Sequence, residues 1–155
     1  MLFGKRIPSP RLVAWAGELP YRYSGQTLEP TPFEGALAEL RARVEAATGE
    51  PFNHALCNLY RSEQDSMGFH SDAERELGPD PVIASVSLGA SRRFVIVPKR
   101  RGPGLEPRTL VLSDGALLVM RGRCQAEFRH GVPRERRAVD PRINVTFRRL
   151  LEPPT

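Results

Sequence analysis

The residues most able to do chemistry begin at His70-Ser71-Asp72. In extended chain, positions i and i+2 project from one face, so the imidazole and the carboxylate can reach a single metal ion. With 18 acids and three histidines, roughly 0.35 His-x-acid pairs arise by chance, so this pair alone decides little. His130 stands 58 residues downstream, at the end of an expected strand, and offers a third ligand. Two histidines and one carboxylate, with open positions opposite, are the donor set of non-haem Fe(II) oxygenases.

A second pattern lies at Arg142-Ile143-Asn144-Val145-Thr146-Phe147-Arg148. Read as a strand, it puts Arg142, Asn144, Thr146 and Arg148 on one face and Ile143, Val145 and Phe147 on the other. The apolar face is expected to pack into a second sheet. The polar face carries two planar guanidinium forks suited to carboxylates. Beside a metal site it could hold a dicarboxylate; otherwise it is a solvated face. Upstream, Asn58 and Tyr60 share a strand face and offer further hydrogen bonds to a carboxylate.

These groups need a scaffold. Thr31, Pro32 and Glu34 read as an N-cap, a first helical position and a capping box for a helix over 32–48, which Gly49 stops. Phe33, Leu37, Leu40 and Val44 form its apolar stripe. After Gly49, seven short strands are expected, at Asn53–Tyr60, Val82–Leu88, Phe94–Pro98, Arg108–Leu112, Ala116–Met120, Gln125–His130 and Arg142–Leu150. Pro- and Gly-rich breakers separate them. One helix followed by antiparallel strands predicts a mostly β fold, a helix on a sandwich or jelly roll.

Composition narrows the class. The 155 residues are 26% charged and 40% hydrophobic, ordinary globular usage that argues against disorder. There is no apolar run of about 18 residues and no leader-like stretch in MLFGKRIPSPRL, so no membrane partner is expected. Cys57 and Cys124 make no disulfide scaffold and fit reduced thiols in a cytoplasmic protein. Residues 1–78 carry a charge balance of −3 and residues 79–155 one of +8, a basic half able to attract a polyanion.

Taken together, Asn58-Leu59-Tyr60, His70-x-Asp72, His130 and Arg142-x-Asn144-x-Thr146-Phe147-Arg148 resemble the AlkB family of Fe(II)/2-oxoglutarate dioxygenases. Similarity to its DNA-repair homologues extends through Ile83–Ala90, Gly115–Met120 and Tyr21–Gly25. The resemblance implies one domain over 1–155, with a lid at 1–31, the helix at 32–48 and a double-stranded β-helix at 50–150. It implies Fe(II) on His70, Asp72 and His130. It also implies 2-oxoglutarate with its distal carboxylate on Arg142, Tyr60 and Asn144, its chelating end near Arg148 and Asn58, and Thr146 on the same face. His54 matches no ligand and is expected to be structural. The implied reaction consumes O2 and 2-oxoglutarate, hydroxylates a methyl group on a base nitrogen, and releases CO2, succinate and formaldehyde.

Substrate roles follow from the same resemblance. Tyr21, Tyr23 and Ser24 match the nucleotide-recognition lid, where tyrosines would stack on a cationic base such as 1-methyladenine or 3-methylcytosine. Glu74 would favour that charge, and Arg11 matches a basic position near the lid. Leu2-Phe3-Gly4 resembles a finger that fills the gap left by a flipped base, which assigns Phe3 as a wedge. Arg92-Arg93, Lys99-Arg100-Arg101 and Arg134, Arg136 and Arg137 are candidates for backbone phosphates. The expected partner is alkylated DNA, duplex or single-stranded, with RNA open, and the expected state is a monomer. Competing readings are an oxygenase on another substrate and a non-catalytic nucleic-acid-binding module; both metal donors and co-substrate arginine are intact, which favours the enzyme.

Overall fold

A computed structural model of the chain describes residues 10–23 and 25–152, with the backbone alone of Tyr23 and Gln26. Phe3 and Ser24, and the side chain of Tyr23, lie outside the described residues.

Alternating apolar and polar side chains build two facing antiparallel sheets. In the first, the order is β1 (Leu12–Gly17), β4 (His54–Tyr60), β11 (Arg142–Arg148), β6 (Ile83–Gly89) and β9 (Leu117–Met120). In the second it is β5 (Met67–His70), β10 (Phe128–Val132), β7 (Arg92–Pro98) and β8 (Arg108–Leu112). From β4 onward the chain passes back and forth between the sheets, which makes a jelly roll. A separate hairpin, β2 (Tyr21–Tyr23) and β3 (Gln26–Leu28), precedes the helix.

The apolar residues divide into two cores. Leu56 and Tyr60 of the first sheet meet Phe94, Leu112 and Val132 of the second, between the sheets. The other core lies outside the first sheet, where Ala55, Ala84, Val86, Val145 and Phe147 pack under Val44, Leu37 and Leu40 of helix α1 (Gly35–Thr48). The apolar face of β11 therefore packs beneath the helix, and its polar face is the one turned to the second sheet. That corrects the expected orientation. The helical stripe needs an apolar partner, and Phe147, fully buried, supplies about 1.5–3 kcal/mol of it.

The helix stops as expected, with Gly49 in the left-handed region at φ 71° and its N–H on the Glu45 carbonyl at 2.9 Å. Its start is corrected. Thr31 is held extended by paired backbone bonds to Gly17 at 2.7 and 3.0 Å, so it caps nothing. The helix begins at Gly35 behind an extended Glu34 that makes no side-chain cap. The expected strand 125–130 also shifts: a helical turn, α2 (Cys124–Glu127), comes first, and β10 runs on to Val132.

Candidate metal and co-substrate site

His70 ends β5 and pairs across the sheet with His130 of β10, their ring centroids 4.5 Å apart. Asp72 follows two residues after the strand. One donor atom from each of the three lies within 4.8 Å of the others. The segment is pinned from both sides. The Ser71 hydroxyl donates to the Phe128 carbonyl at 2.8 Å, and the Asp72 N–H donates to the Gln125 side-chain oxygen at 2.9 Å. Gln125 is buried and lies in the turn α2. Sequence reasoning missed it because a glutamine between apolar residues reads equally well as a strand position.

Local contacts prepare each donor. His70 Nδ1 lies 2.9 Å from the Gly68 carbonyl, an acceptor only, so Nδ1 carries the proton and Nε2 keeps a lone pair. His130 is buried and stacks on Phe94 at 5.2 Å. Burial, with Asp72 opposing it, pushes the His130 pKa down to about 4, so the ring is neutral at pH 7. Asp72 is 1% exposed. Burial alone would raise its pKa, but Arg148, aided by both histidines, holds the carboxyl below its ordinary range. Arg148 donates from Nη2 to Asp72 Oδ1 at 2.7 Å. Asp72 Oδ2, fully buried, has no hydrogen-bond partner among the described residues and sits 3.6 Å from His130 Nε2. The three groups line a cavity of about 20 Å³, with Asn58, Thr146 and Arg148 on its other walls. A buried anionic oxygen without a donor, close to two imidazoles, fits a divalent cation.

The polar face of β11 forms the wall across from these donors, and its four polar side chains are all buried. Arg142 donates to Ser87 Oγ at 2.7 Å and lies over the Tyr60 ring at 5.2 Å. Its Nε and Nη1 are buried without an acceptor among the described residues, a fork that a carboxylate would fill. Asn144 is committed to the protein. It donates to Ser85 Oγ and to the Val86 carbonyl, and accepts from Thr146.

Arg148 donates to the Asp72 carboxylate and, with Asn58, lines the same cavity as the three donors. Arg11 donates from Nε to Asn58 Oδ1 at 2.6 Å, which ties it to the co-substrate wall. Tyr21 is fully buried in the inter-sheet core, edge-on to His54 at 4.7 Å, so it presents no free face for stacking. Burial raises its phenol far above the usual range, and Glu74 nearby adds to this. Glu74 Oε2 is buried with no hydrogen bond among the described residues. His54 is buried too, and burial together with Arg148 pushes its pKa down to about 3. Arg92 is 1% exposed, which removes it from the phosphate candidates.

A jelly roll with this donor set between its sheets is the architecture of a mononuclear non-haem oxygenase. The family model described as 2OG-Fe(II) oxygenase superfamily matches residues 3–148, and the chain belongs to that superfamily. Among similar proteins, human alpha-ketoglutarate-dependent dioxygenase alkB homolog 3 is 46% identical over 152 residues, covering 94% of this chain and 53% of that protein. Bos taurus DNA oxidative demethylase ALKBH2 is 41% identical, covering 97% of this chain and 56% of that protein. These identities bear out the AlkB resemblance read from the motifs. The chain spans about half the length of these curated relatives. The solved structure of OsALKBH1 shares the fold, with a TM-score of 0.63 at 18% identity, covering 94% of this chain and 82% of that one.

Proposed function

We propose that the chain oxidatively demethylates N-alkylated bases such as 1-methyladenine and 3-methylcytosine in DNA, with RNA as the neighbouring alternative. The observation that carries the reading is the buried, donor-free oxygen of Asp72 between His70 and His130. Bound there, Fe(II) would supply the redox chemistry that couples O2 and 2-oxoglutarate to hydroxylation of the methyl carbon. The protein's share is to hold and orient. His70, Asp72 and His130 are the proposed ligands. Arg142, with two buried N–H groups to spare, would bind the distal carboxylate of 2-oxoglutarate beside Tyr60. Asn144 and Thr146 brace that wall through their own hydrogen bonds, and Arg148 fixes the carboxylate ligand.

On the substrate side, a base must leave its stack to reach a site between two sheets, and alkylation that weakens pairing makes extrusion less costly. Glu74, whose carboxylate interacts with Tyr21, is proposed to favour a cationic ring, with Tyr21, Tyr23, Ser24 and Phe3 proposed on the nucleotide side. Arg100, Arg101, Arg134, Arg136 and Arg137 are exposed and available to backbone phosphates. No helix among the described residues is long and apolar enough to cross a membrane. With both cysteines free, a monomer in the cytoplasm completes the proposal.

Mass spectrometry of an oligonucleotide bearing one 1-methyladenine, incubated with protein, Fe(II), ascorbate and 2-oxoglutarate, tests this reading. Loss of one CH2 that depends on 2-oxoglutarate is the expected result. Succinate formed without demethylation would assign a different substrate, and neither product would overturn the enzyme.

A further inference from the structure

The end of the site around Tyr60 holds a second buried cation. Arg92, at the start of β7, comes from the second sheet; Arg142, at the start of β11, comes from the first. Both guanidinium groups lie over the same Tyr60 ring, at 5.4 and 5.2 Å, and both residues are 1% exposed. Two buried like charges converging on one ring are costly unless something anionic joins them.

The protein does not supply that anion in full. Among the described residues, Arg92 donates only to backbone carbonyls, those of Ser62 at 3.1 Å, Asp65 at 2.7 Å and Pro133 at 2.9 Å. Carbonyls satisfy hydrogens and leave the charge in place. Arg92 Nε has no hydrogen-bond partner among the described residues, and the Glu135 carboxylate stands 3.7 Å away. That carboxylate already accepts from Arg93 Nε at 2.9 Å. The Asp65 carboxylate is taken by Arg61. The positive field is felt across the site: burial lowers the Arg142 pKa, Tyr60 opposes that, and the Arg92 charge lowers it further.

We propose that Arg92 is a positioning and specificity-determining residue for the co-substrate. Its charge adds to that of Arg142, and its guanidinium seats Tyr60, so that this end of the site selects a 2-oxo acid with an anionic tail. The inference rests on the co-substrate reading above. A dicarboxylate brings the missing negative charge to the pair of cations; a 2-oxo acid ending in a methyl group leaves them facing each other. As a mere clamp on the loops after β4 and β10, Arg92 would affect both acids alike.

Calorimetric titration of the Mn(II)-loaded protein with 2-oxoglutarate and, separately, 2-oxopentanoate tests this. Arg92→Met is expected to weaken 2-oxoglutarate about tenfold while 2-oxopentanoate stays within about twofold, since a nearby charge acts only on the charged tail. Arg92→Lys keeps the charge without the three carbonyl bonds and should retain most of the preference. Glu135→Gln removes the nearest neutralising carboxylate and should tighten 2-oxoglutarate about two- to threefold, again without moving 2-oxopentanoate. This last variant reads the same field in the opposite direction, and it decides the matter if Arg92→Met fails to fold. Equal weakening of both acids in Arg92→Met, or no tightening in Glu135→Gln, overturns the proposal. A wild-type protein that binds neither acid instead overturns the co-substrate reading, and this inference falls with it.

Discussion

Arg148 binds one oxygen of Asp72 at 2.7 Å and leaves the other, 3.6 Å from His130 Nε2, without a donor. The carboxylate is thus divided between a structural half and a half free for a metal. Substitutions at Asp72 should separate the two. Asp72→Asn keeps an acceptor for Arg148 and is expected to abolish turnover with little change in Tm. Asp72→Ala removes the carboxylate facing the buried Arg148, and should cost about 3–5 kcal/mol as well as activity. Thermal melts beside the demethylation assay check this; equal Tm loss in both variants would refute the division.

Arg142 offers two buried N–H groups to one carboxylate. A charge-assisted hydrogen bond is worth about 1.5–3 kcal/mol, so Arg142→Gln should raise the 2-oxoglutarate requirement roughly 10- to 100-fold. Metal affinity, read by competition with a fluorescent chelator, should stay near that of the wild type, because Arg142 touches none of the three metal donors. An unchanged 2-oxoglutarate requirement would move the carboxylate elsewhere.

Gly131, next to His130, sits where β5 and β10 slip register. A Cβ there would stand 2.9 Å from the Met67 carbonyl oxygen, a backbone atom that cannot swing aside. Gly131→Ala should therefore push β5 outward, costing about 1–3 kcal/mol. Since β5 carries His70, metal affinity should fall in the same variant. A Tm loss with intact metal binding would mean that His70 moves independently of its strand.

Asp65 gives the clearest pH signature away from the metal. The Arg61 guanidinium and backbone N–H hold its carboxyl down to about 2. A folded-state pKa below the unfolded value of about 3.9 contributes stability that is full above pH 4 and is lost as pH falls through about 2. Asp65→Asn should lower Tm at pH 7, and its melting curve should converge with the wild type near pH 2. The Arg61 side chain is half exposed, so salt should shrink the difference. A gap that widened on acidification would contradict the assignment.

Much of the site was legible because it lies on regular strands. The alternation in β11 and β4 put Arg142, Asn144, Thr146, Asn58 and Tyr60 on shared faces, and the structure turns those faces into one wall. The short strand β5 was not legible, because Met67-Gly68-Phe69-His70 carries no alternation and only its pairing with β10 makes it a strand. The helix start was misread because Thr31 satisfies its backbone on Gly17, across a segment that local propensity does not see. Arg92 read as surface charge because the three carbonyls that bury it come from residues 62, 65 and 133.

β11 lies at the centre of the first sheet, where it alone joins β4 to β6. Those two strands are complete by residues 60 and 89, and their partner is not made until residue 148. During synthesis, therefore, two apolar strands wait with open edges for more than fifty residues, a state prone to pairing with other chains. A ribosome that stalled just before Arg142 would release two half-sheets with no centre. For this sheet, the arrival of β11 decides between folding and aggregation.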